Sequence, residues 1–447
     1  MKKKIILTSL VASLSLIGLA SCSDDKDNSV EIKDANGNTV IIEKTDDKEK
    51  VVEALNTIGS TNTSTLSRFG VSFNAELNAK AEVGSTTGEI ALNTTNTINI
   101  DFNDVTFTQM NPGDLTDEQK QTISNSINNT ELYIDSSANV TASENQTTNL
   151  SVNESIKAYK SAGTDSKIYL QFGENKVETN ATEEHDFYDT YEELSVLNLF
   201  TPDIYELDAS TLTTVTEDNQ STMRKYNNAL YSIQNYSKVL NINSISKAAA
   251  ARGANLGALI ETFGIGVEIS NVNGKTNTVE FTAEMSSTAF SSLINLQSDD
   301  VKLEATDAVY SITLKANAIT GYISSLSVDF SNFKASTVPD KEDPDDVAEK
   351  FDISTAKASI EFKYNDEVQD PEIPAGPYKT ITDLMDKFVA WILNNNLIWN
   401  IHFIWGGFFQ FICHLINYYD IIIWIYFWRL YIWNKNFLIK NLLDVKN

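Results

Sequence analysis

Alternation of apolar and polar residues dominates this chain. Val71, Phe73, Ala75, Leu77, Ala79, Ala81 and Val83 alternate with Ser72, Asn74, Glu76, Asn78, Lys80 and Glu82. A period of two over that length predicts a long strand with one apolar and one wet face. Gly84-Ser85-Thr86 predicts a turn, and Ile90, Leu92, Ile98, Ile100 and Phe102 carry the alternation onward. Val105 and Phe107 change parity, which predicts a bulge at Asn103-Asp104. Further strands are predicted at 131–134, 137–142, 149–152, 167–172, 310–316, 323–330 (with one register slip) and 358–364. Asn-Gly pairs predict two hairpins, 30–33 with 39–43 around Asn36-Gly37, and 267–272 with 276–285 around Asn273-Gly274.

Helical spacing occupies fewer stretches: 46–57, 188–199, 222–239, 244–263 and 287–296. The rest of 173–217 reads as acidic loop. Strands with one wet face belong to antiparallel sheets, and helices gathered mid-chain indicate α+β segregation. The expected fold class is therefore α+β: a long antiparallel curved sheet, a half-barrel, with a mid-chain helical insertion. The domain runs from 46 to 377, and 378–390 reads as a short amphipathic helix.

Both ends depart from this pattern. Lys2, Lys3 and Lys4 precede an apolar run that ends in Leu19-Ala20-Ser21-Cys22. A basic start, a short apolar stretch and small residues describe an export signal at 1–21. Leu19-Ala20-Ser21-Cys22 resembles the lipobox of bacterial lipoproteins. That resemblance implies cleavage before Cys22, a diacylglycerol on its thiol, and anchoring of the chain to a bacterial membrane outside the cytoplasm. Residues 22–45 then supply the lipidated cysteine, a polar tether and the small first hairpin. The Ser23-Asp24-Asp25-Lys26-Asp27 stretch resembles the acidic signal that sends Bacteroidota lipoproteins to the outer surface, and equally reads as a solvated spacer.

At the other end, all six tryptophans lie in 391–447, and from Asp383 onward there is no Ser, Thr, Glu or Pro. Three readings of this tail stand. It is long enough and free enough of charge to span a membrane, although its Asn, Gln and His residues cost free energy in lipid. It could form a buried apolar subdomain, which its aromatic density disfavours. Or it is AT-rich non-coding sequence read through a stop at 391, the reading the abrupt change of composition favours.

The formal charge of the chain is −27. The leader contributes +3 and the tail +2, so 22–390 carries −32. Such a surface repels nucleic acid and anionic headgroups. Two cysteines, Cys22 and Cys413, exclude a disulfide scaffold.

Chemistry-bearing motifs are sparse. His185 is the only histidine of the body and is expected to be solvent-exposed on an acidic loop, without partners for catalysis or metal binding. The acidic run 340–346 lacks the glycine and oxygen spacing of a calcium loop. Asp34-Ala35-Asn36-Gly37-Asn38 reads as a plain turn. Gly253 and Gly257 suit close helix packing better than phosphate, since no Gly-Lys-Ser/Thr follows, and Gly264-Ile265-Gly266 lacks the third glycine of a dinucleotide site. No catalytic residue, metal ligand or cofactor is assigned, and Cys22 is the one modification site.

The order of elements, a helix before the first long strand and hairpin strands after mid-chain helices, is similar to the LolA-like lipoprotein-carrier superfamily over about 46–374. That similarity rests on architecture and implies a sheet wrapped around an apolar interior. The expected function is a membrane-anchored, non-enzymatic binding module for an apolar small molecule or lipid. The alternative is a surface-exposed structural or adhesion lipoprotein without a ligand cavity.

Overall fold

The computed structural model describes residues 29–387 apart from 34–38, 60–65, 164, 210–212, 237–240, 243–265, 296–300, 339–347, 371, 381 and 385. The expected helix 244–263, its Gly253 and Gly257, the acidic run 340–346, the Asn36-Gly37 turn, Cys22 and the tail 391–447 lie outside these residues.

β1 (Ser29–Lys33) and β2 (Thr39–Glu43) form the first hairpin, and α1 (Lys48–Thr57) follows, capped by the Asp47 carboxylate on the Glu49 amide. Next come β3 (Arg68–Val83), β4 (Thr86–Asp101), α2 (Asp117–Asn128), β5 (Glu131–Glu144) and β6 (Thr148–Lys160). β7 (Lys167–Phe172), β8 (Lys176–Thr179), α3 (Asp186–Leu194), β9 (Ile204–Asp208) and α4 (Gln220–Tyr236) continue the chain. The remaining elements are β10 (Gly266–Asn273), β11 (Thr278–Ser286), α5 (Ser287–Asn295), β12 (Val301–Glu304), β13 (Val309–Asn317), β14 (Ile323–Asp329), β15 (Phe333–Thr337), β16 (Glu349–Tyr364) and β17 (Tyr378–Thr380).

All but the first hairpin share one fifteen-stranded sheet in the order β10-β11-β13-β14-β16-β3-β4-β5-β6-β7-β9-β17, with β15 beside β16, β12 beside β15 and β8 beside β6. Its strand pairs are antiparallel except β9 with β17, which is parallel. The sheet does not close into a barrel. Helices also sit between strands along the whole chain rather than only mid-chain, so the fold is a sheet-rich α+β arrangement with dispersed helices.

Register separates the two faces cleanly. Phe69, Ile100 and Leu132 stand side by side, as do Val71, Ile98 and Ile134, and Ala79, Ile90 and Ala142. Behind them lie Ser72, Thr97 and Asp135, then Asn78, Ala91 and Thr141. The apolar face is packed in four places. α2 and α4 cover Phe69, Ile100 and Leu132 through Ile123, Ile127, Met223 and Leu230. α1 and the first hairpin cover β10, β11 and β13 through Val51, Ile32 and Ile42. α3 covers Leu150, Leu170 and Phe172 with Phe187. Phe290 of α5 packs on Tyr310 and Phe333.

Several expectations change for identifiable reasons. The bulge expected at Asn103-Asp104 is the end of β4, with both residues at positive φ (45° and 61°). Val105 and Phe107 leave the sheet, and α4 supplies their backbone partners from side-chain amides. Gln234 accepts from the Phe107 amide (3.0 Å) and donates to the Val105 carbonyl (2.6 Å), while Asn228 does the same for both backbone groups of Met110 (2.7 and 2.9 Å). α2 was not expected. Its signals are the Thr116/Gln119 capping box and Ile123/Ile127 one turn apart. The strands expected at 131–134 and 137–142 are one, because the Ser136 hydroxyl finds a partner within the sheet, Asn96 Oδ1 at 2.7 Å. The loop 173–217 contains β8 and β9. Around Asn273-Gly274 the hairpin forms, but the loop is four residues long and the positive φ belongs to Asn277.

The stretch expected as a helix from 378 begins instead as strand β17 and turns helical only at 382–384 and 386–387. It is fastened at Asp203, whose carboxylate accepts from Lys379 (2.7 Å), Lys387 (2.8 Å) and Thr201 (2.7 Å). The two lysines hold this carboxyl far below the usual range. A depressed folded-state pKa means that the clasp is complete above the ordinary carboxylate pKa of about 4 and weakens as pH falls below it. Asp203→Asn is expected to release β17 at neutral pH, read as faster proteolysis confined to 372–387. An unchanged cleavage pattern would remove this role.

Candidate functional site

Among the described residues, a strip across the middle of the apolar face lies outside these four clusters. Phe73 of β3 lies between Ile360 of β16 and Asn96 of β4, and Leu326 of β14 pairs with Ile360. One step along, Ala75 lies between Ala358 and Thr94, and Val328 pairs with Ala358. Phe73, Leu326, Ile360 and Leu92 are half-buried, whereas the shorter Ala75, Ala138, Ala358 and Val328 among them are buried. None of these residues belongs to the four core clusters.

A polar island sits in this strip. Ser136 donates to Asn96 Oδ1 (2.7 Å), Asn96 Nδ2 donates to Thr94 Oγ1 (3.1 Å), and Thr94 Oγ1 donates to the Ser137 carbonyl (2.9 Å). Ser136 and Thr94 are 2% and 6% exposed. Glu154 of β6 stands opposite Ala138 on the same face. Burying hydroxyls and amides on an apolar face costs free energy unless they are hydrogen-bonded. The chain of bonds meets that requirement and leaves the Asn96 amide as a group that can orient a polar head lying on an apolar bed. Nothing in the trio forms a nucleophile–base pair. The sequence signal was present: Thr94 and Asn96 interrupt the apolar series Ile90, Leu92, Ile98, Ile100 in phase with it.

At the end of this face Lys160 is 2% exposed. Its ammonium donates to the carbonyls of Thr130 (2.7 Å), Ser161 (3.1 Å) and Asn128 (3.3 Å), closing the C-terminal end of α2. Burial pushes its pKa down to about 8.

His185 differs from its expected exposed position. It is the N-cap of α3. Nδ1 accepts from the Phe187 amide at 3.1 Å, and Nε2 lies 2.8 Å from Glu144 Oε2. The accepting Nδ1 assigns the proton of the neutral ring to Nε2, which then donates to Glu144. The ring also packs on Phe187, so this histidine fixes the start of a helix. Among the described residues no group of three His, Cys, Asp or Glu side chains is placed to hold a metal ion. Among them, too, no helix is long and apolar enough to cross a membrane, which says nothing about crossing by strands.

No protein-family model matches the sequence, and no curated protein matches it. Among solved structures, the translocator domain of the autotransporter NalP from Neisseria meningitidis aligns at 8% identity and a TM-score of 0.15, covering 71% of this chain and 96% of that one. A score that low carries no information about fold or function.

Proposed function

We propose that the protein is a bacterial lipoprotein, anchored to the cell envelope by lipid on Cys22, whose body is a non-catalytic binding module for an apolar or lipid ligand. Two or more acyl chains at Cys22 give durable anchoring where one binds only marginally. The observation that supports the binding role is the half-buried apolar strip of Leu326, Ile360 and Leu92 beside the Asn96–Ser136 hydrogen bond, a polar pair set on an otherwise apolar sheet face. An acyl chain or similar body lies along the apolar residues, and its polar head meets the island.

Solvent extraction and mass spectrometry of the purified 23–390 segment test this reading. A co-purifying apolar molecule is expected, with occupancy at least tenfold lower in Phe73→Asp. Protein that emerges empty and also fails to bind a fluorescent fatty acid would overturn it.

A second reading, a surface-exposed structural or adhesion lipoprotein without a ligand cavity, draws support from the opposite face, where Ser, Thr and Asn positions run the length of β3, β4 and β5. Protease shaving of intact cells separates the two. Rapid loss of the body favours the surface reading, and protection favours a site facing inward.

A further inference from the structure

The polar face carries a feature that a merely wet surface does not need. On β3 to β7 its positions are small, amide, hydroxyl or charged residues, with three exceptions: Tyr133, Tyr159 and Tyr169. These three are directly opposite one another on β5, β6 and β7. The Tyr159 and Tyr169 rings stack with centroids 6.2 Å apart and planes at 22°. Tyr378 of β17 extends the row, its ring 5.2 Å from that of Tyr169. Tyr159 is buried and backs the row, Tyr133 and Tyr169 are half-buried, and Tyr378 is 43% exposed.

A second row runs beside the first. Thr97, Asp135, Lys157 and Gln171 are neighbours in register, one step along their strands from the tyrosines. Most charges here are paired despite the acidity of the chain, and Glu131 accepts from the Tyr159 hydroxyl (3.4 Å). Lys157 meets Asp135 at 3.1 Å, and Lys167 meets Glu206 at 3.7 Å. Tyr133 donates its hydroxyl to Asp135 at 3.1 Å. The patch thus brings aromatic rings and hydrogen-bonding groups together with little net field, which selects a neutral, hydroxyl-rich partner over an ion.

A pyranose has that complementary form, a face of C–H bonds that lies on an aromatic ring and a rim of hydroxyls that bond to amides and carboxylates. Adjacent strands lie about 4.8 Å apart, a spacing comparable to the advance of one sugar along a chain. We infer that the tyrosine row is a binding platform for a neutral polysaccharide, separate from the apolar strip on the other face.

A purely structural row of cross-strand tyrosines changes stability when cut, but not affinity for a glycan. The test is affinity electrophoresis of the full-length protein in gels containing hydroxyethyl cellulose, xylan or galactomannan. Retardation is expected in at least one gel, weakened at least tenfold in the Tyr169→Ala/Tyr378→Ala double variant and kept in Tyr169→Phe, which retains the ring. Tyr378→Ala alone, at a peripheral exposed position, is expected to lose at least threefold, and it covers the case in which the double variant unfolds. Absence of retardation in all three gels, or full retardation of Tyr378→Ala, overturns the inference.

Discussion

Gly59→Ala is expected to lower the unfolding free energy by about 3 kcal/mol or more, the sum of backbone strain and overpacking. A urea titration of the variant beside the parent protein reads this as a lower midpoint. Gly59 follows α1 and has φ +66°. A Cβ there would lie 2.3 Å from the Gly321 Cα, which is backbone and cannot rotate aside. Gly321, at φ +73°, is equally confined, since its Cβ would meet the Asn241 amide at 2.5 Å and the Gly59 Cα at 2.7 Å. Three chain segments converge at this point. The Gly59 amide donates to the Ala318 carbonyl (3.2 Å), and Asn241 Nδ2 donates to the Thr320 carbonyl (2.8 Å). Gly84→Ala is the control. Gly84 also has positive φ (+60°), but a Cβ there meets nothing within 4 Å, so only the backbone term of about 1 kcal/mol applies. Equal losses at the two positions would refute the close-approach argument.

Lys160→Met is expected to destabilise the fold by about 2 kcal/mol near neutral pH, because the Thr130 carbonyl loses its donor, while those of Asn128 and Ser161 keep the Gly163 amide and the Ser166 hydroxyl. Its pH signature separates this from a packing effect. The folded-state pKa of Lys160, about 8, lies below the ordinary lysine value. The unfolded chain therefore binds more protons between these values, and the contribution of this group to stability is lowest below pH 8 and rises as pH increases. From pH 8 to 10 that rise amounts to about 2 kcal/mol in the parent and is absent in Lys160→Met. Above pH 10 the trend reverses. Tyr133 and Tyr159, pushed up to about 12 first by burial and then by Asp135 and Glu131 respectively, keep their protons longer folded than unfolded. Chemical denaturation of both proteins across pH 7.5 to 10 checks the difference. Parallel curves would exclude Lys160 as its source.

Long strands were legible in the sequence because their period of two is undiluted. β3, β7, β11 and β13 form where alternation places them, and the slip expected in β14 is the register shift between Lys315 and Ala316. α1, α4 and α5 were legible from apolar residues at helical spacing. What the sequence concealed depends on partners distant along the chain. β8 and β9 are four and five residues long and take their identity from β6 and β7. The extended 105–110 segment is defined by amides more than a hundred residues away on α4. The exposure expected for His185 missed Glu144, 41 residues earlier. Both candidate sites are cross-strand objects. Asn96 and Ser136, or Tyr133, Tyr159 and Tyr169, become neighbours only once register is set, although each broke the pattern of its own strand.

The parallel strand β17 also answers a hazard inherent in any sheet that stays open. Without it, Ile204–Glu206 would present unpaired amides and carbonyls along the rim, a template on which a second copy could polymerise. β17 takes that side of β9, and it is itself only three residues long, exposed throughout, with a lysine in the middle. The opposite rim is blunted by Thr45, which exchanges both backbone hydrogen bonds with Ile269 of β10 (3.2 and 2.8 Å). The Asp203 clasp therefore guards solubility as much as fold, because it holds in place the strand that ends the sheet.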